Sequence, residues 1–208
     1  MHAVKPYDVG RVDLVNVAVY TIVGINLHII ANAIRIREFV LTRKINIQKD
    51  MDELTGIMNK GALTREINSY LGDASADRGI MLLLDVDCFK SINDTYGHDV
   101  GDDVISRLGS FLGGRFAGDR IAGRFGGDEF IVFIKNTDDP ETARKTAEEI
   151  ISDAPECVTL PDGGRISVSI GIAFCSGRET NYSEVFKKAD TALYRAKADP
   201  DRSYCFAE

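Results

Sequence analysis

Apolar positions along the chain follow two regimes that meet near residue 50. From Leu14 to Ile34 the run "LVNVAVYTIVGINLHIIANAI" holds 21 residues without an Asp, Glu, Lys or Arg. As a helix that is long enough to cross a hydrocarbon core of about 30 Å. Arg35, Arg37, Arg43 and Lys44 follow at once, and a basic flank of this kind places the C-terminal side in the cytoplasm. The same positions also read as heptads, with Val15, Val19, Ile22, Ile29, Ala33, Ile36 and Val40 on one seam and Asn26 inside it. A dimerising coiled coil explains that seam without lipid. Asn16, His28 and Asn32 dilute the apolar run, so a membrane helix and a soluble helical stalk both stay open. Length and the missing small-residue cleavage site disfavour a signal peptide. From Arg35 to about Met51 a connecting helix is expected, and the dozen or so residues ahead of the apolar run leave no room for a sensor domain.

Beyond Asp52 the apolar period alternates between helix and strand, as a layered α/β or α+β domain requires. Leu63, Ile67, Tyr70 and Leu71 share one helical face, while "GIMLLLDVD" (79–87) is a continuous apolar run of buried-strand type that ends in acids. Helical spacing returns at Val104, Ile105, Leu108, Phe111 and Leu112. "RIAGRF" and "EFIVFI" predict the arms of a hairpin that turns at Gly126-Gly127. Another helix is expected over Ala143, Ala147, Ile150 and Ile151. "RISVSIGIAF" alternates as a strand with Ile166, Val168, Ile170, Ile172 and Phe174 on one face, and Val185, Phe186, Ala189, Leu193 and Ala196 mark a last helix. The domain reading is therefore an N-terminal helical segment over 1–50 and a folded domain over 51–208.

With 44% hydrophobic and 27% charged residues the chain has the composition of an ordinary folded protein. A net charge of −7 gives no basic footprint for nucleic acid, yet it leaves room for a polyanionic small molecule met by a metal ion and local cations. Cys88, Cys157, Cys175 and Cys205 have neither CxxC spacing nor the density of a disulfide scaffold, which favours a reducing compartment and argues against zinc. His28 has no second ligand at metal spacing and reads as a packed or interfacial polar residue.

Candidate chemistry gathers at strand ends. Asp85 and Asp87 lie two apart where the buried strand stops, so both carboxylates project from one face. Should that strand lie beside the hairpin, Asp85 meets Asp128 and Glu129 across the sheet, and acids packed so closely call for a cation. Magnesium suits such a place, since it takes a carboxylate or two together with substrate phosphates. Taken singly, strand-end acids are as often solvated caps, an acidic turn is usually decoration, Lys90 is a surface lysine, and Phe89 is core or pocket wall. Their order along the chain is what carries weight.

That order resembles the GGDEF family of diguanylate cyclases, which condense two GTP into cyclic di-GMP. The resemblance runs from about Asp52 to Arg202 through "DELTGIMNK" (52–60), "DVDCFKSINDTYGHDVGDD" (85–103), "RFGGDEF" (124–130), "SVSIGIA" (167–173) and "ADTALYRAK" (189–197). It implies a mostly antiparallel central sheet flanked by helices and preceded by a long helix. By resemblance, Asp85, the main-chain carbonyl of Val86 and Asp128 match ligands of two Mg2+ ions, or Mn2+, with Glu129 completing the acid cluster. Asn93 and Asp102 match a guanine-reading pair, Phe89 a pocket wall, and Gly126 and Gly127 a backbone that approaches the nucleotide. Lys90 and Lys197 match phosphate-contacting lysines. Arg202 is the nearest counterpart of a further arginine, but "AKADPDRS" carries an extra residue and lacks the family's Gly and Asn. Where many relatives carry an R-x-x-D product-inhibition motif, this chain has Ala117 and Arg120, so no inhibitory site is expected there. A homodimer follows from the need for two GTP. The competing readings are a GTP-binding signalling module without catalysis and a purely structural membrane dimeriser.

Overall fold

The computed structural model describes residues 6–72, 78–116, 118, 120–176, 181–199 and 202–208, and within the first helix the side chains of 15–37 and Asp50. Two compact units result, Met1–Lys49 and Asp50–Glu208. In the first unit, helix α1 (Pro6–Asp50) is continuous, so the apolar run and the connecting segment are one element. All side chains from 15 to 37 are exposed, including Val15, Val19, Ile22, Ile29 and Ile36 of the predicted seam. Val40, Arg43 and Lys44 lie outside the described side chains. Polar groups on this helix turn back on it: Thr21 and Asn26 each donate to the carbonyl four residues earlier at 2.8 Å, and Asn32 pairs with His28 at 3.1 Å. Such back-bonding satisfies polar atoms without water. None of the side chains from 15 to 37 is buried among the described residues.

The second unit comprises strands β1 (Met58–Asn59), β2 (Arg78–Val86), β3 (Arg120–Gly126), β4 (Glu129–Lys135), β5 (Val168–Ser176) and β6 (Tyr204–Phe206). Helices α2 (Lys60–Leu71), α3 (Phe89–Tyr96), α4 (His98–Arg115), α5 (Pro140–Cys157) and α6 (Tyr182–Ala198) pack around them. Sheet order is β1-β3-β4-β2-β5-β6. The four inner strands pair antiparallel, and the short edge strands β1 and β6 pair parallel to β3 and β5. The fold is thus the mixed, mostly antiparallel sheet expected, an α+β arrangement.

Strand β2 shows no alternation because both its faces are covered. Ile80, Leu82, Leu84 and Val86 join the core under α4 and α5, while Met81 and Leu83 join the core under α2 and α6. In β5 the alternation has a different meaning from the one expected. Its large residues Ile170 and Ile172 face the first core, but Ser169, Gly171, Ala173 and Cys175 on the other face are buried too. Helix α6 presses on them so closely that a Cβ on Gly171 would lie 2.0 Å from the Ala189 carbonyl oxygen. The pattern in β5 records side-chain size, not exposure. Short elements escape periodicity altogether: β1, β6 and α3 span 2, 3 and 8 residues.

Candidate active site

The hairpin between β3 and β4 sets the site's geometry. Gly126 pairs with Glu129, and the register shifts between Arg124 and Gly126. Consequently the two central turn residues are Gly127 and Asp128, one residue later than the expected Gly126-Gly127. The extra residue is Phe125, whose ring packs 4.5 Å from that of Phe186 and lies under the Lys60 ammonium at 3.9 Å. Bulges of this kind absorb one residue and re-aim the side chains beyond it. Gly127 takes φ +56°, a left-handed value that glycine adopts without a Cβ penalty. Asp128 therefore stands in the turn itself, and Glu129 opens β4.

A single guanidinium holds this turn. Arg124 donates from Nε and Nη2 to the Gly127 carbonyl at 3.0 and 2.8 Å, and from Nη1 to the Asp52 carboxylate at 3.2 and 3.4 Å. Asp52 also accepts from the Thr55 amide at 3.0 Å and its hydroxyl at 2.8 Å. Burial alone would raise the Asp52 pKa, but the Thr55 bonds and the Arg124 cation outweigh it and hold the carboxyl below its ordinary range.

Across the sheet, β2 and β4 pair Asp85 with Glu129, and the Val86 amide donates to the Asp128 carbonyl at 3.3 Å. Cross-strand partners share a face, and like charges opposite each other are destabilising. Asp85 is only 8% exposed. Burial is the main reason its pKa stands above the ordinary carboxylate value, with Asp128 and Asp87 adding repulsion and Lys197 opposing it. Glu129 is raised for the same reasons, burial first, then the charges of Asp85, Asp128 and Asp190. The Lys197 ammonium, at the end of α6, sits 2.6 Å from Asp85 Oδ1.

Asp87 takes a different role from its neighbour. Its two carboxylate oxygens accept from the hydroxyls of Ser167 at 2.7 Å and Ser169 at 2.6 Å. These residues line a cavity of about 510 Å³ together with Cys88, Lys197 and Arg202. The structure thus brings Lys197 and Arg202 to one cavity, with Arg202 paired to Asp199 at 3.2 Å. Lys90 is exposed in the first turn of α3.

On the far side of the strand ends, α3 and α4 gather the predicted base-reading residues. Asn93 and Phe89 lie directly over Gly101: a Cβ there would come 2.0 Å from Asn93 Oδ1 and 3.2 Å from Phe89 Cζ. Asp102 follows Gly101 and is exposed. Of the inhibitory-motif positions, Ala117 lies outside the described residues, and Arg120 opens β3 with its guanidinium 5.4 Å from the Phe116 ring. Asp52, Arg124, Ser167, Ser169 and Asp190 are not singled out by the sequence. Their motifs are visible in it, but partners 72 and 80 residues apart are not.

Whether the site fits a divalent ion depends on its donors. They are hard oxygens whose negative charge Lys197 offsets only in part, which suits Mg2+. Among the described residues no three acidic, histidine or cysteine side chains form a group that could hold a metal by themselves. The acids therefore fit an ion that brings further ligands with it, as Mg2+ on a triphosphate does.

Comparison with known proteins gives a family match. A family profile described as "Diguanylate cyclase, GGDEF domain" matches residues 49–203. DgcC of Escherichia coli K12 is 33% identical over 159 residues, covering 74% of this chain and 42% of DgcC. Diguanylate cyclase DgcP of Pseudomonas aeruginosa is 37% identical over 150 residues, 70% of this chain and 22% of DgcP. The chain spans less than half the length of these curated relatives. Among solved structures, the coiled coil and GGDEF domain of DgcB from Caulobacter crescentus, in complex with c-di-GMP, matches with a TM-score of 0.74 at 29% identity. That match covers 85% of this chain and 94% of the DgcB chain.

Proposed function

Because the chain belongs to the GGDEF family of diguanylate cyclases, we propose that it condenses two GTP into cyclic di-GMP as a Mg2+-dependent homodimer. The observation that supports this most is the β2–β4 register, which sets Asp85 opposite Glu129 beside the Asp128 turn. In each half-reaction a ribose 3′-oxygen attacks the α-phosphorus of the other GTP, the bond to the β-phosphate breaks, and pyrophosphate leaves. Two Mg2+ ions held by Asp85, the Val86 carbonyl and Asp128 would offset phosphate charge and lower the pKa of the attacking hydroxyl. Glu129, which faces Asp85 across the sheet, would take the hydroxyl proton. Lys90, Lys197 and Arg202 would bear on the phosphates. Asp102 would accept from the N1-H and amine that distinguish guanine from adenine, Asn93 would pair with a neighbouring edge, and Phe89 would wall the base.

One site holds one GTP, so two chains must face each other. The seam on α1 supports pairing of two copies, and the exposed apolar span Val15–Arg37, of mean hydropathy 1.8, supports anchoring at the cytoplasmic membrane with the catalytic unit in the cytoplasm. Two spanning helices satisfy both. With Ala117 and Arg120 in place of the usual pair, an alanine cannot make an arginine's forked contacts, and control would rest on dimer geometry or active-site competition. The test is incubation of the full chain with GTP and Mg2+, followed by mass spectrometry and pyrophosphate measurement. Cyclic di-GMP with two pyrophosphates per product is expected. GTP binding without pyrophosphate would make the chain a binding module instead.

A further inference from the structure

The acid cluster carries its own cation. Lys197 comes from α6, yet its ammonium lies 2.6 Å from Oδ1 of Asp85, the carboxylate assigned above to metal. Lys197 also acts favourably on Glu129. A divalent ion on that oxygen would stand about 2.1 Å from it. Two cations so close to one oxygen repel strongly in a half-buried place, so the lysine and a metal compete for this carboxylate. The lysine side chain is 41% exposed while Asp85 is 10% exposed, so the lysine is the partner free to move. Its surroundings give it somewhere to go: the cavity it lines also holds Arg202, a cation that suits an anion and is paired at the rim to Asp199, while the Ser167 and Ser169 hydroxyls are taken up by Asp87.

We propose that Lys197 is the resident counter-ion of Asp85 and that it exchanges this carboxylate for substrate phosphate when the metal-nucleotide complex arrives. The exchange rests on the metal assignment in the proposed function. It makes loading cooperative: metal alone must displace the lysine with nothing to receive it, whereas metal with triphosphate supplies the lysine a new anion at the same moment. A resting site without metal is also kept from accumulating unpaired charge. Arginine cannot do this equally, since its broad fork holds two oxygens at once and leaves the carboxylate less readily.

The experiment is Mn2+ binding to the full chain, read by electron paramagnetic resonance of free Mn2+, with and without 3′-deoxy-GTP, which lacks the attacking hydroxyl. Wild type is expected to bind Mn2+ at least tenfold more tightly when the nucleotide is present. Lys197→Met should bind Mn2+ alone about five- to tenfold more tightly than wild type and gain less from the nucleotide. Lys197→Arg, which keeps the charge, should not tighten Mn2+ binding. Unchanged or weaker Mn2+ binding by Lys197→Met, in the absence of nucleotide, overturns the exchange. Asp85→Asn separates the two levels: if it leaves Mn2+ binding intact in every background, the metal assignment itself fails, whatever Lys197 does.

Discussion

Replacing Gly101 by alanine separates the proposed base recognition from folding, because the added carbon points at Asn93, the side chain proposed to pair with the base. It would lie 2.0 Å from Asn93 Oδ1 and 3.0 Å from Asn93 Cγ, whereas an unstrained carbon–oxygen contact sits near 3.3 Å. The Asn93 carboxamide must therefore retreat by roughly 1 Å, enough to break a hydrogen bond of normal length. Phe89 Cζ, at 3.2 Å, closes one direction of retreat. A recognition site that loses one such bond and leaves a polar group unpaired forfeits about 1–3 kcal/mol, which is about 5- to 150-fold in kcat/KM. Stability should scarcely change, since alanine gains about 1 kcal/mol over glycine inside a helix such as α4, offsetting strain around Asn93. Initial rates of pyrophosphate release against GTP, with thermal melting, measure both. In an Asn93→Ala background Gly101→Ala should cost little more, because the clash is then relieved. A GTP kcat/KM within twofold of wild type for Gly101→Ala would refute the placement of Asn93 on the base.

Asp85→Asn should raise the melting temperature of the metal-free protein, and more at pH 7 than at pH 4. The folded pKa of Asp85 is raised, so its ionised form disfavours folding, and that penalty grows as pH rises from the ordinary carboxylate value through the folded one. The same variant should make no detectable cyclic di-GMP. Gly171→Ala should lower the melting temperature by about 2–12 °C, since its Cβ would meet backbone atoms at 2.0 and 2.4 Å and overpacking of this kind costs about 1–3 kcal/mol; a change under 2 °C would mean α6 rides more loosely on β5. Arg124→Met should reduce kcat more than it raises KM, with Arg124→Lys failing to rescue, because a lysine cannot bond Gly127 and Asp52 together. Specific activity of the full chain in detergent should fall on dilution through the range where dimers dissociate, and flat activity down to monomer would remove the homodimer.

Much of the architecture is legible in the sequence because burial repeats. The runs that form β2, α4, α5 and α6 carry many apolar residues at fixed spacing, and no short-range alternative competes with them. The acid cluster is also legible, since Asp85 ends a buried run and Asp128 follows a glycine pair. The hidden features depend on partners distant in sequence. Nothing local tells Arg124 to reach Asp52, or Asp87 to turn toward Ser167 and Ser169. The turn falls one residue later than the glycine pair predicts because a bulge at Phe125 depends on the aromatic packing of Phe186, 61 residues on. In β5 the alternation is real, but its small face lies beneath a helix that the strand's own sequence does not name.

The acids' position in the sheet explains why a cation, and not a movement of backbone, must relieve them. Strand β2 is hydrogen-bonded to β4 on one side and β5 on the other through Asp85 itself, and its residues from Gly79 to Val86 are buried. Spreading Asp85 from Glu129 would break ladder bonds and open a packed interior on both faces. Two unit charges about 5 Å apart repel by on the order of 3 kcal/mol at an effective dielectric near 20, less than the cost of disrupting several buried hydrogen bonds and apolar contacts. The sheet therefore keeps the repulsion, and protonation, the Lys197 ammonium or a bound metal ion can lower it. Such a site attracts cations because its scaffold is too stiff to let its anions separate, and in the proposed reaction the same stiffness would fix where substrate phosphate stands to share the ion.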